Sequence, residues 1–97
     1  MYIRDGIAYA GEPEMQIRVT GVRAMEGRKL WLRFNTGETK VFDVTPLLLS
    51  PAFAPLAEEA AFYSVYLDYG TVAWMDGEID IAPERLYRDG VTAEKPA

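Results

Sequence analysis

Residues 28–46 read RKLWLRFNTGETKVFDVTP, and this stretch decides the fold. In its first half the apolar Leu30, Leu32 and Phe34 alternate with charged or amphipathic neighbours, which predicts a strand with one face in the core. The NTGE segment that follows tolerates positive φ, and the run VFDV resumes the strand pattern. We therefore predict a β-hairpin that ends in a corner at Pro46.

Two registers of this hairpin are compatible with the sequence. The first has a two-residue loop at residues 36–37 and gives each face an apolar cross-strand pair. Those pairs are Leu32 with Val41 and Trp31 with Phe42. The second has a three-residue loop at residues 35–37 with Gly37 as a bulge, and it places Leu32 opposite Lys40. We favour the first register because it keeps both apolar pairs, and we expect Gly37 to have positive φ.

The rest of the chain adds strands to this hairpin. Residues 16–25 are predicted to form one strand that is kinked at Gly21, and a turn at residues 26–27 leads it into the hairpin. Alternation of apolar and polar residues, together with turn dipeptides, predicts three further strands in the last third of the chain. These strands lie at residues 63–68, 71–74 and 78–81.

Proline residues mark the predicted helical turns. Thr45-Pro46 and Ser50-Pro51 each place a hydroxyl before a proline, an arrangement that starts a helical turn. Residues 55–62 carry apolar side chains at helical spacing and predict one helix, and residues 82–87 predict a closing turn that starts at a proline. The predicted fold class is α+β, a small antiparallel β-sheet of hairpins with one short helix and proline-started helical turns.

The chain divides into three predicted segments. Residues 1–15 contain Asp5-Gly6 and predict an N-terminal hairpin, and residues 16–87 predict the folded domain. Residues 88–97 are small and polar, which predicts a flexible tail. A chain of 97 residues with 49% hydrophobic residues is long enough to bury a single core.

Composition excludes several classes of function. The chain has no cysteine and no histidine, which excludes disulfides, thiolate catalysis, zinc sites built on these residues and Ser-His constellations. The formal net charge is −5 and the basic residues are scattered, so we expect no direct binding of nucleic acid. No segment approaches the ~20 apolar residues of a membrane span, and the N-terminus lacks the apolar run of a signal peptide. We expect a soluble cytoplasmic protein.

Several motifs carry a resemblance to a known family. The series Phe42-Asp43-x-x-Pro46-Leu47 is followed by Phe53-x-x-Leu56 and by WMDGEIDIAPERLY at residues 74–87. Together they resemble DUF2442, a small bacterial family of unknown function whose closing pattern has Trp, an Asn/Asp-Gly turn, Pro-acidic and Leu-Tyr. The resemblance covers residues 19–87 and implies a small α+β fold of antiparallel strands with one or two short helices. It also implies an accessory or ligand-binding module, sometimes joined to a helix-turn-helix domain, which the residues after Tyr87 are too few to form.

Five side chains are candidates for binding a partner or a ligand: Trp31, Phe42, Tyr66, Trp74 and Asp80. Tryptophan and tyrosine carry much of the binding energy at protein interfaces. Only one face of the predicted sheet packs on the helix, so we expect Trp31 with Phe42, or Tyr66 with neighbouring aromatics, to remain partly exposed. Trp74 could instead pack in the core. Asp80 could instead accept hydrogen bonds from amides of the turn that follows it, and the same interpretation applies to Asp43.

Carboxylates are the remaining candidates for catalysis or metal binding. Glu78 and Asp80 share one face of a strand, which could suit a cation with oxygen ligands. However, positions in turns or facing solvent account for these two carboxylates and for Asp76 without a metal. We therefore predict no metal site, no cofactor and no catalytic residue. We expect a non-enzymatic interaction or accessory module that acts through protein–protein contact, including self-association. The alternatives are a small-molecule sensor with an enclosed apolar pocket and a hydrolase built on two carboxylates.

Overall fold

The computed structural model describes residues 16–93, so the hairpin predicted for residues 1–15 lies outside the described part of the chain. Between residues 16 and 93 there are seven strands, two short α-helices and three 3₁₀ turns. The strands are β1 (Val19–Met25), β2 (Lys29–Phe34), β3 (Thr39–Asp43), β4 (Tyr66–Asp68), β5 (Thr71–Trp74), β6 (Ile79–Ile81) and β7 (Val91–Thr92). The helices are α1 (Glu59–Tyr63) and α2 (Pro83–Asp89), and the 3₁₀ turns are Thr45–Leu49, Ala54–Ala57 and Met75–Gly77.

The strands form two antiparallel sheets, whereas we predicted a single one. The larger sheet has the order β1-β2-β3-β7 and the smaller one the order β4-β5-β6. The strand predicted at residues 63–68 is shortened to β4, because Tyr63 is the last residue of α1. The Val19 amide donates a hydrogen bond to the Gly70 carbonyl at 2.9 Å and so links the two sheets. The α+β class with antiparallel hairpins is confirmed.

The central hairpin, β2 with β3, has the three-residue loop, so the register that we favoured is wrong. Its cross-strand pairs include Leu30 with Phe42, Trp31 with Val41 and Leu32 with Lys40. Lys40 is tolerated opposite a core residue because its ammonium lies 4.3 Å from the centre of the Tyr87 ring and donates to the Tyr87 carbonyl at 2.7 Å. Gly37 has a φ of +92°, which confirms its predicted conformation.

Residues 55–62 form two short helical segments where we predicted one helix. The 3₁₀ turn Ala54–Ala57 is separated from α1 by Glu58, whose backbone is extended. The Arg28 guanidinium donates to the carbonyls of Leu56 and Ala57 at 3.1 and 2.6 Å. A continuous helix would bond these carbonyls within its own next turn. Arg28 therefore replaces the missing helical hydrogen bonds and stabilises the break.

The chain remains regular past Arg88, where we predicted the start of a flexible tail. The closing turn predicted for residues 82–87 is confirmed as α2, which continues to Asp89. β7 then pairs with β3 and places Val91 opposite Val41. A two-residue strand cannot show alternation, so the pairing with β3 sets this segment and its own sequence pattern does not.

Both sheets and the helical segments share one core. Leu56, Phe62 and Leu86 from the helical segments pack with the inward side chains of both sheets. Trp74 is fully buried among them, and its indole nitrogen donates to the Phe62 carbonyl at 2.9 Å. No polar or charged residue belongs to the buried set of the described residues. The burial of apolar surface is therefore the main source of stability, as it is in most small domains.

Candidate functional site

The outer face of the four-stranded sheet is the first candidate surface. Leu30, Leu32 and Phe34 point into the core, so the alternation along β2 turns the side chains between them outward. The strand register then assigns residues of the other strands to the same face. We call this surface the Trp31 face; it consists of Arg23, Lys29, Trp31, Arg33, Val41, Asp43 and Val91.

An apolar row crosses the centre of the Trp31 face. Trp31, Val41 and Val91 lie opposite one another on β2, β3 and β7. Trp31 is half-buried, and its ring edge lies 3.7 Å from the position that a Cβ on Gly21 would occupy. Val91 is 70% exposed. The indole thus lies beside β1 at ordinary contact distance, so the row is both anchored and partly open to solvent.

Charged side chains flank this apolar row. Lys29 and Arg33 are exposed on the two sides of Trp31 in β2, and Arg23 is its cross-strand neighbour in β1. Asp43 is the acidic member of the face, and its carboxylate accepts a hydrogen bond from the Thr45 amide at 2.9 Å. This bond holds the pKa of Asp43 below its ordinary value, with a smaller contribution from Lys29. Asp43 therefore accepts an amide bond from the turn that follows, as predicted, although Val44 is the N-cap residue of that turn. On the Trp31 face the basic side chains outnumber this acidic one.

A cleft of about 700 Å³ borders the Trp31 face. It opens between the end of β3, the 3₁₀ turn Thr45–Leu49, α2 and β7. Its lining includes both apolar and charged side chains: Lys29, Val41, Phe42, Asp43, Pro46, Leu47, Arg85, Asp89, Val91 and Thr92. The cleft is open to solvent and carries charges of both signs, so it differs from the enclosed apolar pocket that we expected of a small-molecule sensor.

The outer face of the three-stranded sheet is the second candidate surface. Leu67, Val72, Trp74, Ile79 and Ile81 turn inward, so the alternate positions turn outward. We call this surface the Tyr66 face; it consists of Tyr66, Asp68, Thr71, Ala73, Asp80 and the adjacent loop residue Asp76, and Ala73 within it is buried. None of these six residues is basic.

Tyr66 lies across the centre of the Tyr66 face. It is opposite Ala73, which in turn is opposite Asp80. The Tyr66 hydroxyl comes within 3.9 Å of the position of a Cβ on Gly77, so the ring reaches toward the loop between β5 and β6. Partial burial raises the pKa of Tyr66, and the nearby carboxylates of Asp68 and Asp76 raise it further. The face thus joins a half-exposed aromatic ring to an acidic surround.

The five predicted site residues are distributed over three places. Trp31 lies on the Trp31 face, whereas Tyr66 and Asp80 share the Tyr66 face. Phe42 and Trp74 are buried, so the expected exposed pair of Trp31 with Phe42 does not form. Asp80 is exposed, and no side chain caps the start of α2, which contradicts the amide-binding role considered for Asp80.

Sequence reasoning missed the cations and valines that complete the Trp31 face. Lys29, Arg33 and Val41 lie in alternating strands, and alternation alone places Lys29 and Arg33 beside Trp31. Val41 joins them only in the register with the three-residue loop. Val91 required the pairing of β7, for which the sequence carries no signal.

Two further observations concern metals and membranes. Within residues 16–93, no three side chains of the His, Cys, Asp and Glu types come together as a metal-binding group would require. None of the helices in the same range has the length and apolarity needed to cross a membrane.

Comparisons with known proteins identify the family of the chain. The sequence model of the family described as "Protein of unknown function (DUF2442)" matches residues 19–92. Comparisons with curated proteins and with solved structures give no significant match. The match begins at the first residue of β1 and ends at the last residue of β7, so it spans both sheets and reaches five residues beyond the resemblance that ended at Tyr87. The chain belongs to the DUF2442 family.

Proposed function

We propose that the protein is a non-enzymatic interaction module that binds an acidic surface of a partner protein through the Trp31 face. The observation that carries this proposal is the apolar row centred on Trp31 with Lys29 and Arg33 on its two sides. A tryptophan surrounded by cations combines the residue types that dominate binding energy at interfaces.

The Trp31 indole is suited to this role because its neighbours already restrict its conformation, so it has little conformational entropy to lose on binding. Its ring lies 3.7 Å from the position of a Cβ on Gly21, and its cross-strand neighbours are Arg23 on β1 and Val41 on β3. A side chain that is held in its bound position loses less entropy on association. The face is broad and the cleft beside it is open to solvent, which suits contact with a protein surface.

Charge defines the kind of partner. The whole chain has a net charge of −5, so it repels polyanions such as nucleic acid at long range. The Trp31 face differs from this average because three basic side chains share it with one acidic side chain, Asp43. A local acidic patch on a partner protein would find Lys29 and Arg33 at close range, where complementarity governs orientation and specificity.

The non-enzymatic part of the proposal is supported by the perturbed carboxylates. Among residues 16–93, the pKa values of three carboxylates are lowered. Glu38 accepts hydrogen bonds from Tyr87 and Thr36, Asp43 from Thr45 and Asp89 from Arg88, so each lowered pKa accompanies a hydrogen bond within the fold. A chain without histidine or cysteine also lacks the usual bases and nucleophiles. We place the module in the cytoplasm, consistent with a chain that has no cysteine and therefore no disulfide.

Partner capture followed by affinity measurement tests the proposal. Proteins retained from native extract by the wild type would be identified, purified and titrated against three forms of the protein: wild type, Trp31→Ala and Leu49→Ala. We expect Trp31→Ala to lose about 2 kcal/mol or more of binding, roughly 30-fold in affinity. Leu49 is 91% exposed and lies outside the Trp31 face, so Leu49→Ala serves as the control and should bind like the wild type.

The same titrations distinguish the alternatives. If Trp31→Ala binds the purified partner as tightly as the wild type, the Trp31 face is not the binding surface. A sensor would instead retain a small molecule, and its affinity would fall with Leu47→Ala in the cleft while Trp31→Ala left it unchanged. That pattern would replace the interaction module with the sensor.

A further inference from the structure

We propose that the Tyr66 face of a second copy occupies the Trp31 face, so that molecules associate head to tail. This inference rests on the proposed function and names the partner for that surface. It adds a second binding surface to the molecule, built on the other sheet.

The two faces are complementary in charge. Lys29 and Arg33 are exposed on one face. On the other, Asp68, Asp76 and Asp80 are exposed, and no Lys or Arg belongs to it. Opposite charges at short range fix the orientation of two surfaces and exclude arrangements that bring like charges together. Contact between two Trp31 faces or two Tyr66 faces would bring like charges together, whereas contact between one of each would pair them.

The two faces are also complementary in their apolar centres. One presents Trp31 and Val41 in a row, and the other presents the ring of Tyr66, which is 37% exposed. Basic side chains outnumber the one acidic side chain, Asp43, around Trp31, whereas the charged residues of the Tyr66 face are all acidic. An aromatic contact in the middle, with ion pairs at the rim, is the usual arrangement of a small interface. Both faces are a few short strands wide, so we expect weak, concentration-dependent association.

The fold allows one molecule to use both faces at once. The Trp31 face belongs to the sheet β1-β2-β3-β7 and the Tyr66 face to the sheet β4-β5-β6, and both turn away from the shared core. A contact between two different surfaces is heterologous. A dimer formed in this way still has one free Trp31 face and one free Tyr66 face, so further copies can add until the assembly is an open chain or a closed ring.

Two single-face variants test this inference by light scattering and sedimentation over a range of concentrations. Trp31→Ala removes the centre of one face and keeps the Tyr66 face, whereas Tyr66→Ala does the converse. We expect the wild type to grow in mass with concentration and each variant alone to associate at least about 10-fold more weakly. An equimolar mixture should form a dimer with one copy of each variant and grow no further, because only one intact contact is available.

The mixture also verifies that Trp31→Ala is folded, since that variant must supply a working Tyr66 face. A charge exchange gives a second test. Arg33→Glu and Asp80→Lys should each weaken association, and the double variant should recover it because the exchanged charges meet in neighbouring copies. Recovery is not expected if either substitution acts by damaging the fold.

The possible outcomes separate this inference from the proposed function. A wild type that stays monomeric at all concentrations, yet binds an acidic partner protein through Trp31, overturns the head-to-tail contact and leaves the proposed function standing. Undiminished association of Tyr66→Ala, or no dimer in the mixture, overturns the head-to-tail contact as well. Undiminished association of Trp31→Ala, together with undiminished partner binding, overturns both.

Discussion

The indole nitrogens of the two tryptophans have different surroundings. Trp74 Nε1 donates to the Phe62 carbonyl at 2.9 Å, and the side chain is fully buried. Trp31 Nε1 is also shielded from solvent, but it is the buried side-chain nitrogen for which the described residues provide no hydrogen-bond partner. An unsatisfied donor costs free energy, whereas a satisfied one contributes a little.

We therefore expect substitution by phenylalanine to destabilise the protein much more at position 74 than at position 31. Trp74→Phe removes a hydrogen bond, leaves the Phe62 carbonyl unpaired and opens a cavity, so it should lower the free energy of unfolding by about 2–4 kcal/mol. Trp31→Phe keeps an aromatic ring on Gly21 and removes the unpaired N–H, so its effect should stay within about 1 kcal/mol. Chemical denaturation of both variants measures the difference. Equal losses of unfolding free energy in the two variants would contradict the different hydrogen bonding of the two indole nitrogens.

Gly37 is a position where backbone conformation affects stability without any steric clash of a side chain. Nothing lies within 4 Å of the position that its Cβ would take, and its φ is +92°. Gly37→Val should therefore cost about 1–3 kcal/mol through backbone strain and not through a clash. Gly21→Ala is the matched control, because its added Cβ meets only ordinary contacts and its φ is not positive. Denaturation midpoints compare the two, and an unchanged midpoint for Gly37→Val would count against strain at this turn.

At the scale of elements, the bond between Tyr87 and Glu38 ties α2 to the loop of the central hairpin. The Tyr87 hydroxyl donates to the Glu38 carboxylate. This bond is the largest cause of a lowered pKa for Glu38 and of a raised pKa for Tyr87. The Tyr87 ring also stacks edge-on against Phe34, with the ring centres 5.2 Å apart. The ring contact survives substitution by phenylalanine, and the hydrogen bond does not.

Tyr87→Phe should accordingly show a destabilisation that depends on pH. Because the pKa of Glu38 is lowered on folding, its contribution is fully present above the unfolded value near 4.5 and is lost as the pH falls through the folded pKa. Because the pKa of Tyr87 is raised, its contribution is present below the unfolded value of 10.0 and is lost as the pH rises through the folded pKa. The stability gap from wild type should therefore be widest near neutral pH and narrow on both sides.

Thermal unfolding of both proteins at about pH 2, about pH 7 and above about pH 10 measures this gap. Tyr63→Phe removes an exposed hydroxyl outside the bond between Tyr87 and Glu38, and its difference from wild type should not follow the same profile. A gap for Tyr87→Phe that stays constant with pH would show that the bond does not contribute to stability.

Sequence patterns predicted the elements better than they predicted the pairing between them. Alternation identified β2 and β3, and glycine identified the turn. The register depended on Lys40, whose ammonium is bound by the ring and the carbonyl of Tyr87, a residue 47 positions away in the chain. A local rule that pairs apolar with apolar residues across a hairpin cannot take account of a contact with a residue of α2.

The break between the two helical segments has the same kind of origin. Helical spacing of apolar residues predicted one helix at residues 55–62, and Leu56 and Phe62 are indeed buried. The carbonyls at the break are bonded by Arg28, which lies in the turn between β1 and β2. A long-range side-chain donor thus overrides the local preference for a continuous helix.

At the scale of the whole molecule, residue type was enough to select Trp31 and Tyr66 as candidates but not to assign their surroundings. Trp31 and Trp74 both lie in alternating strands, and sequence does not say which face of each strand is covered. The separation of the strands into two sheets decides this, because it buries Trp74 and gives the molecule two outer faces. The charge difference between those faces follows from the same division.

Head-to-tail association that uses this charge difference should weaken with salt. Raising the salt concentration from about 0.1 M to about 1 M shortens the Debye length from about 10 Å to about 3 Å. We expect the association constant of the wild type to fall several-fold over this range, as measured by sedimentation. The doubly exchanged Arg33→Glu, Asp80→Lys variant should show the same dependence. Association that strengthens with salt would assign the contact to its apolar centre alone.

The unequal burial of the two tryptophans also gives the protein two internal optical reporters. Trp74 is enclosed in the core, so its fluorescence should be at short wavelengths and should shift only when the fold is lost. Trp31 is half-buried on an outer face, so a collisional quencher should reach it first. The chain contains just these two tryptophans. Emission from the Trp74→Phe and Trp31→Phe variants would therefore follow surface contact and unfolding as separate signals in an otherwise unlabelled chain.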